Sequence, residues 1–279
     1  MSEQGVVFFL SDHGFGHASR SGTVVSRVLD IREAATPVCI VTAVPTFFLD
    51  ETILGVAAST VTPRPDLLEW DFVSRTGEQK KALAQVRSAG TRSFTLIPVE
   101  TDIGVLQKTS VDLDIPATAA ALGPFWDSFV PQCVIKLADA LISWGSFARI
   151  VADVPAIAPL VKEELRKRNI SVECLLISNF TWDWIYQPFP DMLGAFVERI
   201  CDAYSKADGM IALPLSSDHL KSSSFSNGSR VAVRHLPGLL GRRSDRDPSS
   251  VRSWLLSLSP SPFGPSQERL PCLSACDRD

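Results

Sequence analysis

The sequence predicts an α/β fold, a Rossmann-like parallel sheet with helices on both faces. Three observations predict it. Gly5 to Leu10 is an unbroken apolar run of strand length, as a strand buried on both faces requires. It feeds a Gly-rich turn, Asp12-His13-Gly14-Phe15-Gly16-His17, that opens a helix near Ala18. Val38-Cys39-Ile40-Val41-Thr42 is short and β-branched, so strand, helix and strand succeed one another as a βαβ unit. Such a unit implies parallel strands and a right-handed crossover.

The helix over Ala18 to Leu29 carries its apolar stripe at Val24, Val25, Val28 and Leu29. Val56 to Val61 is expected as a third strand. Pro63 to Ser93, charged and weakly periodic, is expected as an irregular insertion of about 63–93. Pro116 to Trp144 is expected as largely helical, with breaks at Pro124 and Pro131. Regular alternation resumes with a strand at Arg149 to Ala152 that ends at Asp153, and a helix at Ile157 to Arg168. A strand follows at Val172 to Ile177, then the aromatic segment Phe180 to Phe189, a helix at Met192 to Lys206 and strands at Met210 to Leu213 and Arg230 to Val233.

A single Rossmann-like domain is therefore expected over residues 1–235. Residues 236–256 are expected as a linker and the start of a further domain, with Asp247-Pro248 opening a helix that runs to Leu256. Residues 257–279, rich in Ser and Pro at their start and without an apolar period, are expected as a disordered tail.

Composition excludes several classes. The 279 residues are 45% hydrophobic and 21% charged with a net charge of -4, which allows a sizeable core and denies the basic footprint of a nucleic-acid binder. The basic cluster Arg242-Arg243-Ser244-Asp245-Arg246 is interrupted by acid and suits a solvated linker. Six cysteines lack metal-ligand spacing, and Cys39 and Cys174 fall inside predicted strands as small hydrophobes. Reduced thiols, no secretory leader and no membrane span lead to an expected cytoplasmic setting, without a metal.

A Gly-rich turn between a strand's carboxyl end and a helix start suits an oxygen-rich or anionic ligand. A nicotinamide dinucleotide fits poorly, because Ser19 stands at the third glycine position and no Asp or Glu closes the second strand. The histidines are more telling. His13 and His17 are half of the four in the chain and bracket the turn. His17 falls in the first helical turn, where the dipole disfavours imidazolium, and a neutral ring is what a general base requires. Both histidines also suit a plain role of bonding the loop to the sheet. Asp153, at the carboxyl end of a strand parallel to the first, is placed to orient His17 across the crevice; a turn or helix-cap role beside Pro155 is the alternative. Ser178-Asn179-Phe180-Thr181-Trp182-Asp183-Trp184-Ile185-Tyr186 leaves another strand's carboxyl end, offering aromatic faces with an amide and a carboxylate to a sugar ring, or sealing the core under the rim.

Taken in order, Asp12-His13-Gly14-Phe15-Gly16-His17-Ala18-Ser19-Arg20, Val41-Thr42-Ala43-Val44-Pro45, Val151-Ala152-Asp153-Val154-Pro155 and Ser178 to Tyr186 resemble glycosyltransferase-B-like proteins. The nearest resemblance is to the N-terminal glycosyltransferase-like domain of L-arabinokinase and its stand-alone homologues, over most of residues 5–62 and 100–256. The resemblance implies the N-terminal, acceptor-side half of a two-domain cleft whose other half binds a nucleotide-sugar. That donor is a co-substrate, and no other cofactor is implied. It further implies that His17 deprotonates an acceptor hydroxyl with support from Asp153. His13, Gly14, Phe15, Gly16, Asn179, Trp182 and Asp183 are then expected to contact a small-molecule sugar or acceptor. The chain departs from the family in its tail from Ser257 and in residues 63–93, so a truncated form with self-association through an exposed cleft face is expected. The alternative carried by the same resemblance is a non-catalytic module preceding a sugar kinase domain.

Overall fold

A computed structural model describes residues 4–31, 36–73, 78–109, 112–213 and 232–235. The expected linker at 236–256 and tail at 257–279 lie outside the described residues. Strand β1 (Gly5–Leu10) is buried along its whole length, as its unbroken apolar run demands. Helix α1 (Phe15–Ile31) begins three residues earlier than expected and lays Val25 and Val28 into the core. Strand β2 (Val38–Val41) then pairs parallel with β1.

Residues 46–97 differ most from expectation. The third strand expected over Val56 to Val61 begins only at Thr60. A short helix α2 (Thr46–Leu49) runs into a π-helical turn at Asp50–Leu54, and an exposed edge strand β3 (Thr60–Pro63) follows. The expected irregular insertion is instead β-structure. Strands β4 (Glu69–Val73) and β5 (Gln79–Leu83) form a separate antiparallel pair, and β6 (Gln85–Ala89) turns back into β7 (Arg92–Ile97). The physical reason is visible in the pairing. Lys81 meets Glu69 across the pair, while Phe72 is buried and Trp70 stacks on Phe129. Charged residues on the wet face thus mask a period-two pattern. Arg87, in the middle of β6, is buried because its guanidinium holds Asp50 with two bonds, of 2.8 Å and 2.5 Å.

Helix α3 (Ile115–Pro124) is capped by Asp114, whose carboxylate accepts from the Ala117 amide at 3.0 Å. It continues through a π-helical turn (Phe125–Phe129) into α4 (Val130–Trp144). The expected breaks at Pro124 and Pro131 are this wider turn, which falls between two residues that lack an amide donor. Strand β8 (Phe147–Asp153), helix α5 (Ile157–Lys167), strand β9 (Glu173–Ser178), helices α6 (Trp182–Tyr186) and α7 (Pro190–Tyr204), and strands β10 (Gly209–Ala212) and β11 (Ala232–His235) complete the described chain. Each lies within two or three residues of its expected place.

Among the described residues, nine strands form one sheet in the order β11-β10-β9-β8-β1-β2-β7-β6-β3. From β11 to β7 every pairing is parallel; β6 and β3 add an antiparallel edge. The parallel strands run outward from β1 in one direction through β2 and β7, and in the other through β8, β9, β10 and β11. Right-handed crossovers in opposite directions put the connecting helices on opposite faces, which is the doubly wound Rossmann arrangement. Strand order reverses between β1 and β8, where Leu10 stands opposite Asp153. A crevice at that reversal, outside the carboxyl ends of the strands, is where such sheets take ligands.

Candidate active site

Both sequence-predicted partners sit at the reversal. Gly14 turns the chain out of β1 with a φ of +82°, and His17 enters in the first turn of α1. Asp153 closes β8 with its side chain wholly enclosed. His17 Nδ1 lies 3.1 Å from Asp153 Oδ1, across 136 residues of sequence.

Two residues that the sequence reading passed over complete the arrangement. Arg20 Nη2 donates to Asp153 Oδ1 at 2.5 Å and stands 3.0 Å from His17 Nδ1, and Ser21 Oγ donates to Asp153 Oδ2. Their signal was helical spacing, since residues three and four beyond His17 share its face of α1. Arg20 Nη1 donates to Asn179 Oδ1 at 2.9 Å, which ties the loop after β9 to the same cluster. The Phe180 ring meets the His17 ring edge-on at 5.0 Å.

Burial is the largest influence on Asp153 and pushes its carboxyl up. Acting together, the His17 bond and its electrostatic pull, the Arg20 charge and the Ser21 hydroxyl outweigh it and hold the carboxyl below the usual carboxylate range. An ionised Asp153 accepts only, so His17 presents Nδ1–H to it. Nε2 has no hydrogen-bond partner among the described residues, and the His17 side chain keeps 10% of its surface open. This is the arrangement of a base oriented by a carboxylate.

The backbone beyond Asp153 is strained. Val154 has a φ of +77°, a region that β-branched residues avoid, and its carbonyl accepts from the Tyr204 hydroxyl at 2.7 Å. Burial pushes the Tyr204 phenol well up, so the hydroxyl remains a donor.

The remaining predicted residues divide. His13 forms a wall of the loop: its ring meets Trp182 edge-on at 5.4 Å, and its amide donates to Ser11 Oγ at 3.1 Å. Phe15, Gly14 and Gly16 are exposed at the rim, with the Phe15 ring 4.7 Å from Phe48. Trp182 and Asp183 turn inward instead of offering themselves to a sugar, and each is 4% exposed. Trp182 Nε1 donates to Asp102 Oδ2 at 3.1 Å, and the Cys201 thiol donates to Asp183 Oδ2 at 3.5 Å. Trp182, Asp183 and Tyr186 thus pack under the rim, while Asn179, Phe180, Trp184 and Ile185 of the same segment stay half-buried.

A second loop missed by sequence, residues 98–106 after β7, braces this wall. Asp102 Oδ1 accepts from Ser11 Oγ at 3.1 Å, and the Tyr186 hydroxyl donates to the Gly104 carbonyl at 2.6 Å. Because β7 itself was not recognised, nothing marked its carboxyl end as part of the rim. Among the described residues no cluster of three or more His, Cys, Asp or Glu side chains is placed to hold a metal. No helix of the described residues is long and apolar enough to cross a membrane.

Fold and site together define a doubly wound α/β protein with an enclosed His–Asp pair at the strand-order reversal. Two solved structures are similar to it in fold. One is a UGT transferase from Siraitia grosvenorii in complex with UDP, at 14% identity and a TM-score of 0.42, covering 90% of this chain and 54% of that one. The other is apo UGT2 of Phytolacca americana, at 11% identity and a TM-score of 0.43 with the same coverage, 90% and 54%. The chain thus spans about half the length of the structures it matches. No family model and no curated protein matches the sequence.

Proposed function

We propose that this chain supplies the acceptor side of a glycosyltransferase, with His17 as the general base and Asp153 as the carboxylate that orients it. The observation that carries the proposal is the 3.1 Å approach of His17 Nδ1 to the buried Asp153, with no hydrogen-bond partner on Nε2 among the described residues. An acceptor hydroxyl placed against Nε2 gives up its proton as its oxygen bonds the anomeric carbon of a nucleotide-sugar. The bond from that carbon to the phosphate oxygen breaks, and its electron pair leaves with the nucleoside diphosphate. Asp153 stabilises the imidazolium that forms. The nucleotide-sugar is a co-substrate, held in the resembled family by the domain that completes the cleft. Exposed Phe15, the Gly14 and Gly16 backbone and Asn179 are the groups left at the rim to meet a small sugar or other acceptor.

The test is turnover with UDP-sugars and a panel of hydroxyl acceptors, read as nucleoside diphosphate released by the protein in its full natural length. His17→Ala removes the base and is expected to lower kcat by about 10²- to 10⁴-fold. Asp153→Asn is expected to lower it comparably, since an amide neither carries the compensating charge nor selects the Nδ1–H tautomer. Turnover of His17→Ala within a few-fold of wild type removes the base assignment.

A further inference from the structure

A carboxylate as enclosed as Asp153 must be paired. Two groups are placed to pair it. His17 Nδ1 is 3.1 Å from Oδ1, Arg20 Nη2 is 2.5 Å from the same oxygen, and the two nitrogens are 3.0 Å apart. The three atoms close a triangle. One positive corner suffices to balance the carboxylate, and the choice of corner has a consequence. An imidazole that carries the charge has no lone pair left to accept a hydroxyl proton. A guanidinium keeps its charge at any working pH.

The geometry points to Arg20 as a positioning residue: it supplies the counter-charge of Asp153, so that His17 stays neutral with Nδ1–H toward the carboxylate and Nε2 available as a base. The inference rests on the role proposed for His17. Its support is independent of that role. Helical spacing of three residues holds Arg20 beside His17, and Asn179 anchors the far side of the guanidinium at 2.9 Å. Of the charged groups among the described residues, only Asp153 from β8 and Arg20 from α1 bond His17. The loop after β9 contributes the uncharged Asn179 and the Phe180 ring, and Ser21 adds a hydroxyl to Asp153. Without Arg20, the imidazole is the one group among the described residues left beside the carboxylate that can carry a positive charge.

The experiment is ¹⁵N NMR of the whole chain labelled at histidine, with the His17 signals identified by their loss in His17→Gln. At neutral pH the wild-type ring is expected to carry one proton, on Nδ1. Arg20→Gln is expected to convert it to a ring protonated on both nitrogens. Arg20→Lys, which replaces the cation, is expected to return the neutral ring, and so is the double variant Arg20→Gln/Asp153→Asn, which removes the charge that needed balance. A neutral His17 ring in a folded Arg20→Gln variant overturns the proposal. Failure of Arg20→Gln to fold while the double variant folds upholds it, because an unbalanced buried carboxylate is then the fault. Failure of both makes Arg20 a packing element and also overturns it.

None of these outcomes depends on catalysis. In a UDP-sugar assay Arg20→Gln is expected to lower kcat/KM at neutral pH. An absence of glycosyl transfer by the wild type counts against the proposed function and leaves the NMR result standing.

Discussion

Replacing Gly104 by alanine tests whether the loop after β7 grips the turn after β1. Gly104 has a φ of +63°, and a Cβ added there stands 2.1 Å from His13 Cγ and 2.2 Å from Nδ1. Cγ is the ring atom nearest the His13 backbone, so the ring cannot escape by a small swing. Its edge is against Trp182, and the Gly104 carbonyl is tied to the Tyr186 hydroxyl. The left-handed backbone costs roughly 1–2 kcal/mol for a residue with a Cβ, and forced repacking of a tight contact adds about 1–3 kcal/mol. The expected loss is therefore about 2–5 kcal/mol, a large part of the roughly 5–15 kcal/mol that holds a domain together. Gly14→Ala is the matched control. Its φ of +82° brings a similar backbone cost, but nothing lies within 4 Å of the new Cβ. Urea unfolding of both variants, read as a shift in midpoint at unchanged slope, separates the two contributions. Equal losses at the two positions refute the brace, since His13 would then move aside freely.

Tyr204→Phe removes the bond that holds the strained Val154 carbonyl; it is expected to cost about 1–2 kcal/mol in urea unfolding and to lower turnover through Asp153. Arg87→Ala leaves Asp50 buried without its cation and is expected to cost about 3–5 kcal/mol, whereas replacing both with apolar residues is expected to cost far less. The pH dependence follows from Asp153. Its folded carboxyl sits below the unfolded value, so its contribution to stability is present above about pH 4 and is lost as pH falls through the folded value. The gap in Tm between wild type and Asp153→Asn is therefore expected to shrink steadily below about pH 4, and a gap that widens there contradicts the depressed carboxyl.

Where a strand is buried on both faces, its sequence announces it. Gly5–Leu10, Val38–Val41 and Glu173–Ser178 carry little but apolar side chains, because a parallel sheet covered by helices gives them no wet side. Residues 60–97 hide their strands for the converse reason. They have solvent faces or edges, as where β4 and β5 carry Glu69, Lys80 and Lys81, and Arg87 is buried where Asp50 arrives from the π-helical turn to meet it. A pairing formed in space cannot be read from either residue alone. The inward turn of Trp182 and Asp183 was hidden in the same way, since their partners Asp102 and Cys201 are far off in the chain.

The His17–Asp153 pair was legible across 136 residues because topology, not proximity in sequence, sets it. Parallel strands deliver their carboxyl ends to one rim, and β1 and β8 are neighbours in register, with Leu10 beside Asp153. The first helical turn then brings His17 back over that rim. Arg20 obeys the same geometry at shorter range: helical repeat aims it where His17 is aimed, at a carboxylate that neither residue could identify alone. Strand order places His17 here and the helical repeat places Arg20, so a one-residue slip of α1 past β8 would separate both from Asp153 at once. Inserting a single alanine after Gly16 is accordingly expected to remove the downfield Nδ1–H signal of the histidine ring and the Arg20 pairing together, and loss of one without the other would show that they are held independently.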